Sequence, residues 1–366
     1  MKLLFFLCCF GCIAWESSRA QVHFEAQTLD DSVAIGYGLA IGEMDGDGRP
    51  DILLADKKAF VWYRNGDWKR VEIIRDLTAR DNVCIAARDL DGDGLVEIAV
   101  GAQWNPGETT DAARSGSVHY LLRPTTAGQP WRAVGLHHEP TVHRMLWVRT
   151  GNSYQLLVLP LHGRGNRKGE GAGVRLLAYP FPARPHEASN WTYLLADSSM
   201  HLTHNFEVIE APSTSTKLLI AGKEGIRELE YVAGAWQASG RWVGAGSGFG
   251  EVRRGQGPQG PFVCGIHPMH GNELRVYGPD DRVELLADDL NQGHALACGD
   301  LLGLGYEQIV VGWRAPNEAG KVGIRLYVPP SSAGETWQMH LIDDNNMACE
   351  DLKIADLDGD GKAEII

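Results

Sequence analysis

The sequence predicts an all-β fold, a seven-bladed β-propeller of four-stranded antiparallel blades. Three observations predict it. A short apolar strand recurs seven times along the 366 residues, with starts 44 to 62 residues apart. Strands of alternating character follow the apolar strands, and one of them often opens on tryptophan. Acidic, glycine-containing loops recur at the blade spacing. A period of about 40–50 residues is typical of propellers, in which each repeat forms one small twisted sheet.

The repeated strands are of three kinds. The apolar strands cover residues 52–54, 98–100, 156–158, 218–220, 262–264, 309–311 and 365–366. Six of them are followed by alternating strands at 60–64, 118–122, 174–179, 226–231, 274–277 and 324–328. A further strand opens on Trp68, Trp131, Trp191, Trp236 or Trp337. Alternation between glycine-rich turns indicates short antiparallel strands, and no connection has the pattern of a long helix.

The two ends of the repeat region suggest how the ring closes. Residues 22–29 resemble the outer strand of a blade, as seen at 337–344. We therefore expect this segment to complete the last blade. The chain stops at Ile366, where the other six repeats continue into another strand. The seventh blade is thus expected to be incomplete in this chain, and a further C-terminal domain is compatible with the sequence.

Residues 1–20 have the pattern of a secretory signal peptide, and residues 21–366 then form the mature propeller. Lys2 gives a positive start, residues 3–15 are apolar but too short to span a bilayer, and residues 18–20 offer a small-residue cleavage site. No later stretch is apolar enough for a membrane span. We expect a secreted or periplasmic protein.

The charge of the chain limits the classes of partner, and the cysteine positions indicate the state of the thiols. The formal charge is −13, and removal of Lys2, Arg19 and Glu16 makes it −14, which argues against nucleic acid and anionic membranes as partners. Three of the seven cysteines leave with the signal peptide. The remaining four, Cys84, Cys264, Cys298 and Cys349, fall in apolar strands. Buried free thiols are expected, with an inter-blade disulfide such as Cys298–Cys349 as the alternative.

Three units contain a close match to D-x-D-x-D-G-x-x-[DE], at 43–51, 89–97 and 356–364. Alternate carboxylates on a tight turn converge on one point, and a hard cation, calcium or magnesium, makes that density tolerable. We expect structural metal sites rather than a catalytic metal. The expected ligands are Glu43, Asp45, Asp47, Asp51, Asp89, Asp91, Asp93, Glu97, Asp356, Asp358, Asp360 and Glu364. A fourth copy at 300–305 keeps the turn but loses most ligands.

This loop pattern at blade spacing resembles the FG-GAP, or VCBS, repeats of integrin-like and bacterial secreted propellers. The resemblance covers essentially the whole mature chain. It implies that the acids named above bind the cation. Glu43 departs from the pattern because it replaces the usual first aspartate.

The calcium loops also predict where chemistry occurs. If they join the first strand to the second, the turns that enter each first strand lie on the opposite rim. Nine of the thirteen histidines fall in that rim's turns: His137, His138, His143, His162, His201, His204, His267, His270 and His294. Arginine, asparagine and tryptophan share these turns. This composition is that of a pocket for a polar ligand such as a sugar or glycan.

His143 is the leading candidate for a general base because it begins an innermost strand beside Arg144. A neutral imidazole there removes a carbon-bound proton next to a carbonyl, and the guanidinium stabilises the enolate oxygen. Candidate acids for the leaving hydroxyl are His204, His267 and His294. The candidate substrate-binding residues are Trp104, Asn105, His138, His162, Arg164, Trp313 and Arg314. Metal binding by a histidine cluster, and a glycosidase based on Glu139, Glu207 or Glu251, remain alternatives.

Segments 101–124, 137–147 and 247–253 look like the propeller domain of aldos-2-ulose dehydratase-type proteins. The resemblance implies dehydration of 1,5-anhydrofructose and related keto-sugars, structural divalent metal in the propeller, and following cupin domains that hold zinc. Two other functions stay open. One is a polysaccharide lyase, in which Arg164, Arg167 and Lys168 neutralise a uronic acid. The other is a glycan-binding or adhesion propeller without catalysis.

Overall fold

The computed structural model describes residues 22–126, 128–210, 215–280, 282–332 and 334–366. These residues form six four-stranded antiparallel sheets, one two-stranded sheet and a single turn of 3-10 helix at Ala188–Asn190. The all-β propeller with four-stranded blades is therefore confirmed. The predicted signal peptide lies outside the described residues.

The strands follow one another blade by blade. Blade 1 contains β1 (Gly38–Gly42), β2 (Asp51–Ala55), β3 (Ala59–Arg64) and β4 (Lys69–Arg75). Blade 2 contains β5 (Cys84–Arg88), β6 (Glu97–Ala102), β7 (Ser117–Leu122) and β8 (Arg132–Leu136). Blade 3 contains β9 (Val142–Thr150), β10 (Ser153–Pro160), β11 (Leu176–Pro180) and β12 (Leu194–Asp197). Blade 4 contains β13 (Thr203–Ile209), β14 (Lys217–Gly222), β15 (Gly225–Val232) and β16 (Ala235–Val243). Blade 5 contains β17 (Glu251–Gly257), β18 (Gly260–His267), β19 (Glu273–Tyr277) and β20 (Val283–Ala287). Blade 6 contains β21 (Gly293–Gly299), β22 (Gln308–Trp313), β23 (Gly323–Val328) and β24 (Gln338–Asp344), and the last sheet contains β25 (Ile354–Ala355) and β26 (Glu364–Ile365).

Each blade is a meander in which sequence neighbours pair. In blade 1, Leu53 lies between Ala40 of β1 and Trp62 of β3. The second strands are the apolar runs of the sequence because both their faces are covered by the adjoining blades. All five residues of β2 are buried, for example. The first strands contact one another in chain order, from β1 through β5, β9, β13, β17 and β21 to β25, and so form the inner wall of the ring.

The outermost strands show why tryptophan marks the repeat. β4 and β8 have alternating or mostly exposed residues, as expected for strands with one face in solvent. Trp131 precedes β8 and packs on a cluster that includes Leu53 of blade 1 and Ile98 of blade 2. Its indole thus covers the seam between two blades.

The two-stranded sheet occupies the seventh position of the ring. Ile354 and Ile365 pack against the blade 6 cluster, whereas Leu357 packs with the blade 1 cluster. Two hydrogen bonds tie this region to blade 1. The Asn65 side-chain amide donates to the Leu357 carbonyl at 2.6 Å, and the Leu39 amide donates to the Asp351 carboxylate at 2.8 Å. The ring is closed by contacts between residues 292 and 312 positions apart.

The segment expected to close the ring forms no strand within residues 22–37. An outer strand pairs with the third strand of its blade, and the described seventh sheet contains only its first two strands. Val22 and Phe24 instead pack on the blade 6 cluster, and Leu29 packs on blade 1. The segment therefore lies along the seventh position through apolar contacts, and its role as a closing strand stays a prediction.

The four described cysteines are free thiols, in agreement with the first expectation. The alternative pair Cys298–Cys349 does not form. Cys298 instead has its sulfur 3.6 Å from that of Cys264, across the seam between blades 5 and 6. In the described part of the chain, no helix has the length and apolarity needed to cross a bilayer.

Candidate functional site

The two rims of the ring differ as expected. The acidic loops 43–51, 89–97 and 356–364 join β1 to β2, β5 to β6 and β25 to β26, and therefore share one rim. The turns that enter the inner strands, together with those between second and third strands, lie on the other rim. Most of the nine histidines that the sequence assigned to this rim lie there.

The acidic loops share one hydrogen-bond pattern. In the second loop, Asp89 accepts hydrogen bonds from the amides of Gly92 at 2.7 Å and Gly94 at 3.1 Å. Glu97, the ninth residue, accepts from the Leu90 amide at 2.7 Å. Equivalent bonds occur in the other two loops. The first and ninth acids thus fold the loop, and the glycines supply the positive φ angles that the turn needs.

Three carboxylates of each loop lie within 4.8 Å of one another. The groups are Glu43, Asp45 and Asp51; Asp89, Asp91 and Glu97; and Asp356, Asp358 and Asp360. Burial and the neighbouring acids raise the pKa of Asp51 to about 6 and that of Glu97 to about 7. Such density fits a hard divalent cation. Calcium or magnesium at these loops stays a prediction.

Three expected ligands lie outside these groups. Asp47 forms an ion pair with Arg49 at 2.6 Å, Asp93 accepts from the Leu95 amide, and Glu364 accepts from the Leu357 amide. The degenerate fourth loop keeps a similar turn with two hydrogen bonds shifted by one residue. Asp300 accepts from the amides of Leu304 and Gly305, and Gln308, in place of the ninth acid, accepts at 3.0 Å from the amide of Leu302, the third loop residue.

On the opposite rim, three histidines from three blades converge. His204 comes from β13, His294 from β21 and His270 from the turn between β18 and β19. The Nε2 atoms of His204 and His270 lie 2.7 Å apart. One nitrogen of each of the three rings lies within 4.8 Å of the other two. We call these three residues the histidine cluster.

The outward nitrogens of two rings of the histidine cluster are anchored. Nδ1 of His204 is 3.1 Å from the Gly250 carbonyl oxygen, and Nδ1 of His294 is 2.5 Å from the Glu350 carbonyl oxygen. Because a carbonyl only accepts, these Nδ1 atoms carry the proton and each Nε2 carries a lone pair. The Nε2 lone pair of His204 accepts the 2.7 Å hydrogen bond from Nε2 of His270. Burial holds the pKa of both rings well below its usual value. Burial also lowers the pKa of His270, to about 4.

This donor set fits a zinc-like ion. Three neutral imidazoles are a common catalytic zinc ligand set, and the fourth position is then left for water or substrate. Here two of the three, His204 and His294, have an anchored outer nitrogen. The histidine cluster was one of the alternatives raised by the sequence. The structure supplies the geometry that the spacing of the residues did not show.

His143, on β9, lies beside the histidine cluster. Its ring centroid is 4.6 Å from that of His204, and the Trp104 indole stacks on it at 5.0 Å with an interplanar angle of 22°. Neither ring nitrogen has a hydrogen-bond partner among the described residues. Burial, with the positive charge of Arg144 as the next cause, holds the His143 pKa well below its usual value. His143 is therefore a neutral, buried imidazole whose two ring nitrogens have no hydrogen-bond partner among the described residues.

Other candidate residues have structural partners. His267 contacts the Gly248 carbonyl through Nδ1 at 2.7 Å and lies outside the histidine cluster. The Asn105 side chain donates to the Arg114 carbonyl within its own loop, and Nδ1 of His138 contacts the Glu139 carbonyl. His162 forms an isolated bridge with Leu202, and its buried Nδ1 has no partner in the described chain.

Glu139 engages Arg164. This carboxylate is 3% exposed and binds Arg164 at 2.9 Å and Arg175 at 2.6 Å. Arg164 also donates to the Thr110 carbonyl, so it links the two long rim turns. A guanidinium held in this way is a scaffold for the rim, whereas the sequence suggested a ligand contact.

Trp313 and Arg314 differ from each other. Trp313 is 2% exposed, its indole N–H donates to the Lys321 carbonyl at 2.8 Å, and Arg325 lies over its ring. The expected stacking of a sugar on Trp313 is wrong, because both its apolar surface and its donor are used in the core. Arg314 remains on the rim, where it binds the Glu350 carboxylate at 2.8 Å.

Two residues that complete the site were not selected from the sequence. His270 was one of many rim histidines, and Glu251 was named only for a glycosidase. The Glu251 carboxylate lies 3.1 Å from Nδ1 of His204. The glycine-rich turn before Glu251 is a weak signal. Only the pairing of blades 4 and 5 shows that these side chains point to one centre.

Two protein-family models match parts of this sequence. Residues 44–100 match the FG-GAP-like repeat, and residues 115–279 match the β-propeller domain of aldos-2-ulose dehydratase. The chain resembles an aldos-2-ulose dehydratase propeller. No curated protein matches it significantly over its sequence. The dehydratase match runs from the third strand of blade 2 to the third strand of blade 5, so it includes His143, His204, Glu251 and His270 but not His294.

Solved structures of other proteins share the fold of this chain. A chain in the crystal structure of BBS1N in complex with ARL6DN, soaked with lead, superposes with a TM-score of 0.51 at 11% identity, covering 88% of this chain and 86% of that one. A chain of the mitotic checkpoint complex gives a TM-score of 0.51 at 11% identity, covering 96% and 92%. At these identities the likeness concerns the fold alone.

Proposed function

We propose that this chain is a secreted carbohydrate-active lyase that eliminates water from a keto-sugar of the 1,5-anhydrofructose or aldos-2-ulose type. The observation that carries the proposal is His143, a neutral and unpartnered imidazole next to three histidines whose free nitrogens converge. The match of residues 115–279 to the aldos-2-ulose dehydratase propeller supports the same reaction class. The signal-like residues 1–20 support export.

The histidine cluster would hold a zinc-like ion, which when bound supplies a Lewis acid for the keto oxygen. We propose this role for His204 and His294 in place of the acid role considered from the sequence. One ligand nitrogen of each lies within 4.8 Å of the other, and their Nδ1 protons are engaged by carbonyls. Such imidazoles bind a cation and have no proton to release toward a substrate.

His143 would act as the base. A keto-sugar whose carbonyl faces the histidine cluster brings its α-carbon within reach of the His143 ring, 4.6 Å from His204. His143 takes the α-proton, the electron pair of the C–H bond forms the new C=C bond, and the bond to the β-hydroxyl breaks. The imidazolium then returns the proton to the leaving hydroxyl, which departs as water. Atoms and charge balance without another reactant.

Arg144 and Trp104 would complete the pocket. Arg144 lies close enough to lower the pKa of His143, His204 and His294, and its Nε has no partner among the described residues. A buried cation there stabilises the negative charge that develops on the enolate oxygen. The half-buried Trp104 indole fixes the His143 ring from the rim side.

Elimination at a uronic acid in a polysaccharide is the second candidate. It needs a free cationic group for the carboxylate, and exposed Arg167 and Lys168 lie in the long rim turn. Arg164 of the same turn already binds Glu139. The described contacts therefore favour the small keto-sugar.

The deciding experiment offers the purified protein 1,5-anhydrofructose and, separately, uronic-acid polysaccharides. Ultraviolet absorbance of the conjugated product is followed, and the products are identified by mass spectrometry as having lost one water. The expected result is turnover of the keto-sugar alone. Turnover of polysaccharide alone would favour the second candidate. Glycan binding without any product would contradict both enzyme proposals and would indicate a glycan-binding propeller without catalysis.

A further inference from the structure

We infer that Glu251 and Asn205 are positioning residues that hold the His204 ring in one tautomer and one direction, with Nε2 facing the histidine cluster. The inference deepens the proposed function, since the value of this arrangement rests on cation binding by the cluster. Its geometry is independent of that function, and the two can be tested separately.

Glu251 lies at the start of β17, and its side chain is 1% exposed. One carboxylate oxygen is 3.1 Å from Nδ1 of His204. The other accepts a 2.6 Å hydrogen bond from the Asn205 side chain and lies 3.4 Å from Nη2 of Arg253. A buried carboxylate is costly unless it is paired and hydrogen-bonded. Here all three of its partners belong to two adjoining inner strands.

The orientation of Asn205 follows from its second hydrogen bond. Its side-chain oxygen accepts from the Phe206 amide at 2.8 Å, so its NH2 group must be the end that faces Glu251. Asn205 thereby fixes one carboxylate oxygen and leaves the other to accept from His204. A carboxylate has no proton to give at this position, so the His204 proton is held on Nδ1.

His204 and His294 differ in their carboxylate partners. Nδ1 of each ring contacts a backbone carbonyl, that of Gly250 for His204 and that of Glu350 for His294. Only His204 also has a carboxylate within hydrogen-bond distance, because the Glu350 carboxylate is 3.8 Å from His294 and binds Arg314. A carboxylate partner makes an imidazole a stronger ligand and restricts its rotation. His204 should therefore be the ligand whose environment contributes most to cation affinity.

The first measurement does not involve a metal. The metal-free protein, with its acidic loops saturated with calcium, is studied by two-bond 1H–15N correlation of the histidine rings. We expect His204 as the Nδ1-protonated tautomer in the wild type and a mixture of tautomers in Glu251→Gln. Asn205→Ala, which retains the carboxylate, should show a smaller shift of the same sign. A Glu251→Gln spectrum identical to that of the wild type would overturn the inference.

The second measurement uses Co2+ as a probe of the histidine cluster, by its visible absorption and by calorimetry. We expect roughly 10–100-fold weaker Co2+ binding in Glu251→Gln, the range typical for loss of a carboxylate that hydrogen-bonds a metal-ligating histidine. Glu224→Gln is the matched control, because Glu224 binds Nδ1 of His201 at 2.8 Å outside the cluster. It should bind Co2+ as the wild type does. Equal loss in both variants would mean a general effect on the rim and would overturn the positioning role.

The two measurements separate failure of the inference from failure of the proposed function. A wild type that binds no Co2+ but shows a Glu251-dependent His204 tautomer would retain the positioning role and remove the cation-dependent mechanism. If Glu251→Gln fails to fold, the Asn205→Ala variant is the deciding test. The inference would be wrong if that variant showed the same His204 tautomer and the same Co2+ affinity as the wild type.

Discussion

The Nε2 atoms of His204 and His270 lie 2.7 Å apart, although one residue belongs to the inner strand of blade 4 and the other to a rim turn of blade 5. Two neutral imidazoles at this distance share at most one proton. Replacing His270 with alanine removes one of three converging donors while leaving His204 and its anchors in place.

For His270→Ala, we expect loss of stoichiometric Co2+ binding and a fall in keto-sugar turnover on the order of 100-fold, because a bound cation supplies several kcal/mol of charge stabilisation. The melting temperature should stay close to that of the wild type, since His270 is half-buried in a turn. Unchanged turnover in this variant would rule out a role for the cluster in catalysis.

His143 should affect turnover without affecting cation binding. For His143→Gln, we expect kcat for the keto-sugar to fall roughly 10²–10⁴-fold, the usual contribution of a general base. Co2+ affinity should remain that of the wild type. His186→Gln is the control, because His186 is exposed and lies next to Glu187, away from the cluster. Parallel loss of Co2+ binding and turnover in His143→Gln would make His143 a ligand instead of a base.

Asp351 should make the closed ring sensitive to acid. Burial opposes its charge, but Lys353, Arg144 and the Leu39 and Leu352 amides outweigh burial and lower its pKa to about 2. A carboxyl with a depressed pKa contributes stability above its unfolded pKa of about 3.8, and that contribution is lost as the pH falls toward 2. Asp351→Asn should therefore lower the free energy of unfolding by about 2 kcal/mol at neutral pH.

The pH dependence provides the check for Asp351. Denaturant unfolding of wild type and Asp351→Asn should differ most above pH 4 and converge as the pH falls below 2, where both side chains are uncharged. A difference that stays constant across this range would mean that the loss comes from the Leu39 hydrogen bond alone.

The fourth acidic loop suggests a substitution that tests calcium binding by the second loop. Because Gln308 keeps the ninth-position hydrogen bond without charge, Glu97→Gln should leave the second loop folded in calcium-free buffer. It should lose much of the stability that calcium adds through that loop, which at a hundredfold excess over Kd amounts to about 2.7 kcal/mol. Thermal melts with and without calcium measure the difference. Asp300→Asn, made in the loop that has lost most ligands, should show the wild-type calcium dependence.

Oxidation should join Cys264 to Cys298. Their sulfurs are 3.6 Å apart, whereas the sequence had suggested Cys349 as a partner for Cys298. Diamide, a two-electron oxidant, removes both thiol protons and both electrons as the sulfur–sulfur bond forms. Peptide mapping by mass spectrometry should recover a Cys264–Cys298 link with Cys84 and Cys349 still reduced. The Cys298→Ser variant should give no link, and a Cys298–Cys349 link in the wild type would refute the geometry.

Much of the fold follows from local sequence signals. The apolar runs became the second strands of the blades, since a strand covered on both faces needs an unbroken apolar sequence. Trp131 and its counterparts mark the start of the outer strands because one large indole covers the seam between two blades. The acidic loops fold through hydrogen bonds that span no more than eight residues, so the motif alone shows where they lie.

The site was only partly predictable. The choice of rim and of His143 came from the sequence. Trp313 was assigned to the sugar because a tryptophan in a rim turn looks accessible, yet strand β22 carries it into the core between blades. His270 and Glu251 could not be selected, because their partner His204 is 66 and 47 residues away.

The sequence by itself determined the propeller, the acidic loops and the rim on which the histidines lie, because these depend on periodicity and on contacts within one repeat. Only the tertiary structure decided which of the rim histidines meet. The inner strands of all blades converge on the ring axis, and the distance between two side chains there depends on blade order and strand register. Blade order and strand register set the 2.7 Å contact between His204 and His270. Neither can be deduced from the spacing of the histidines in the sequence.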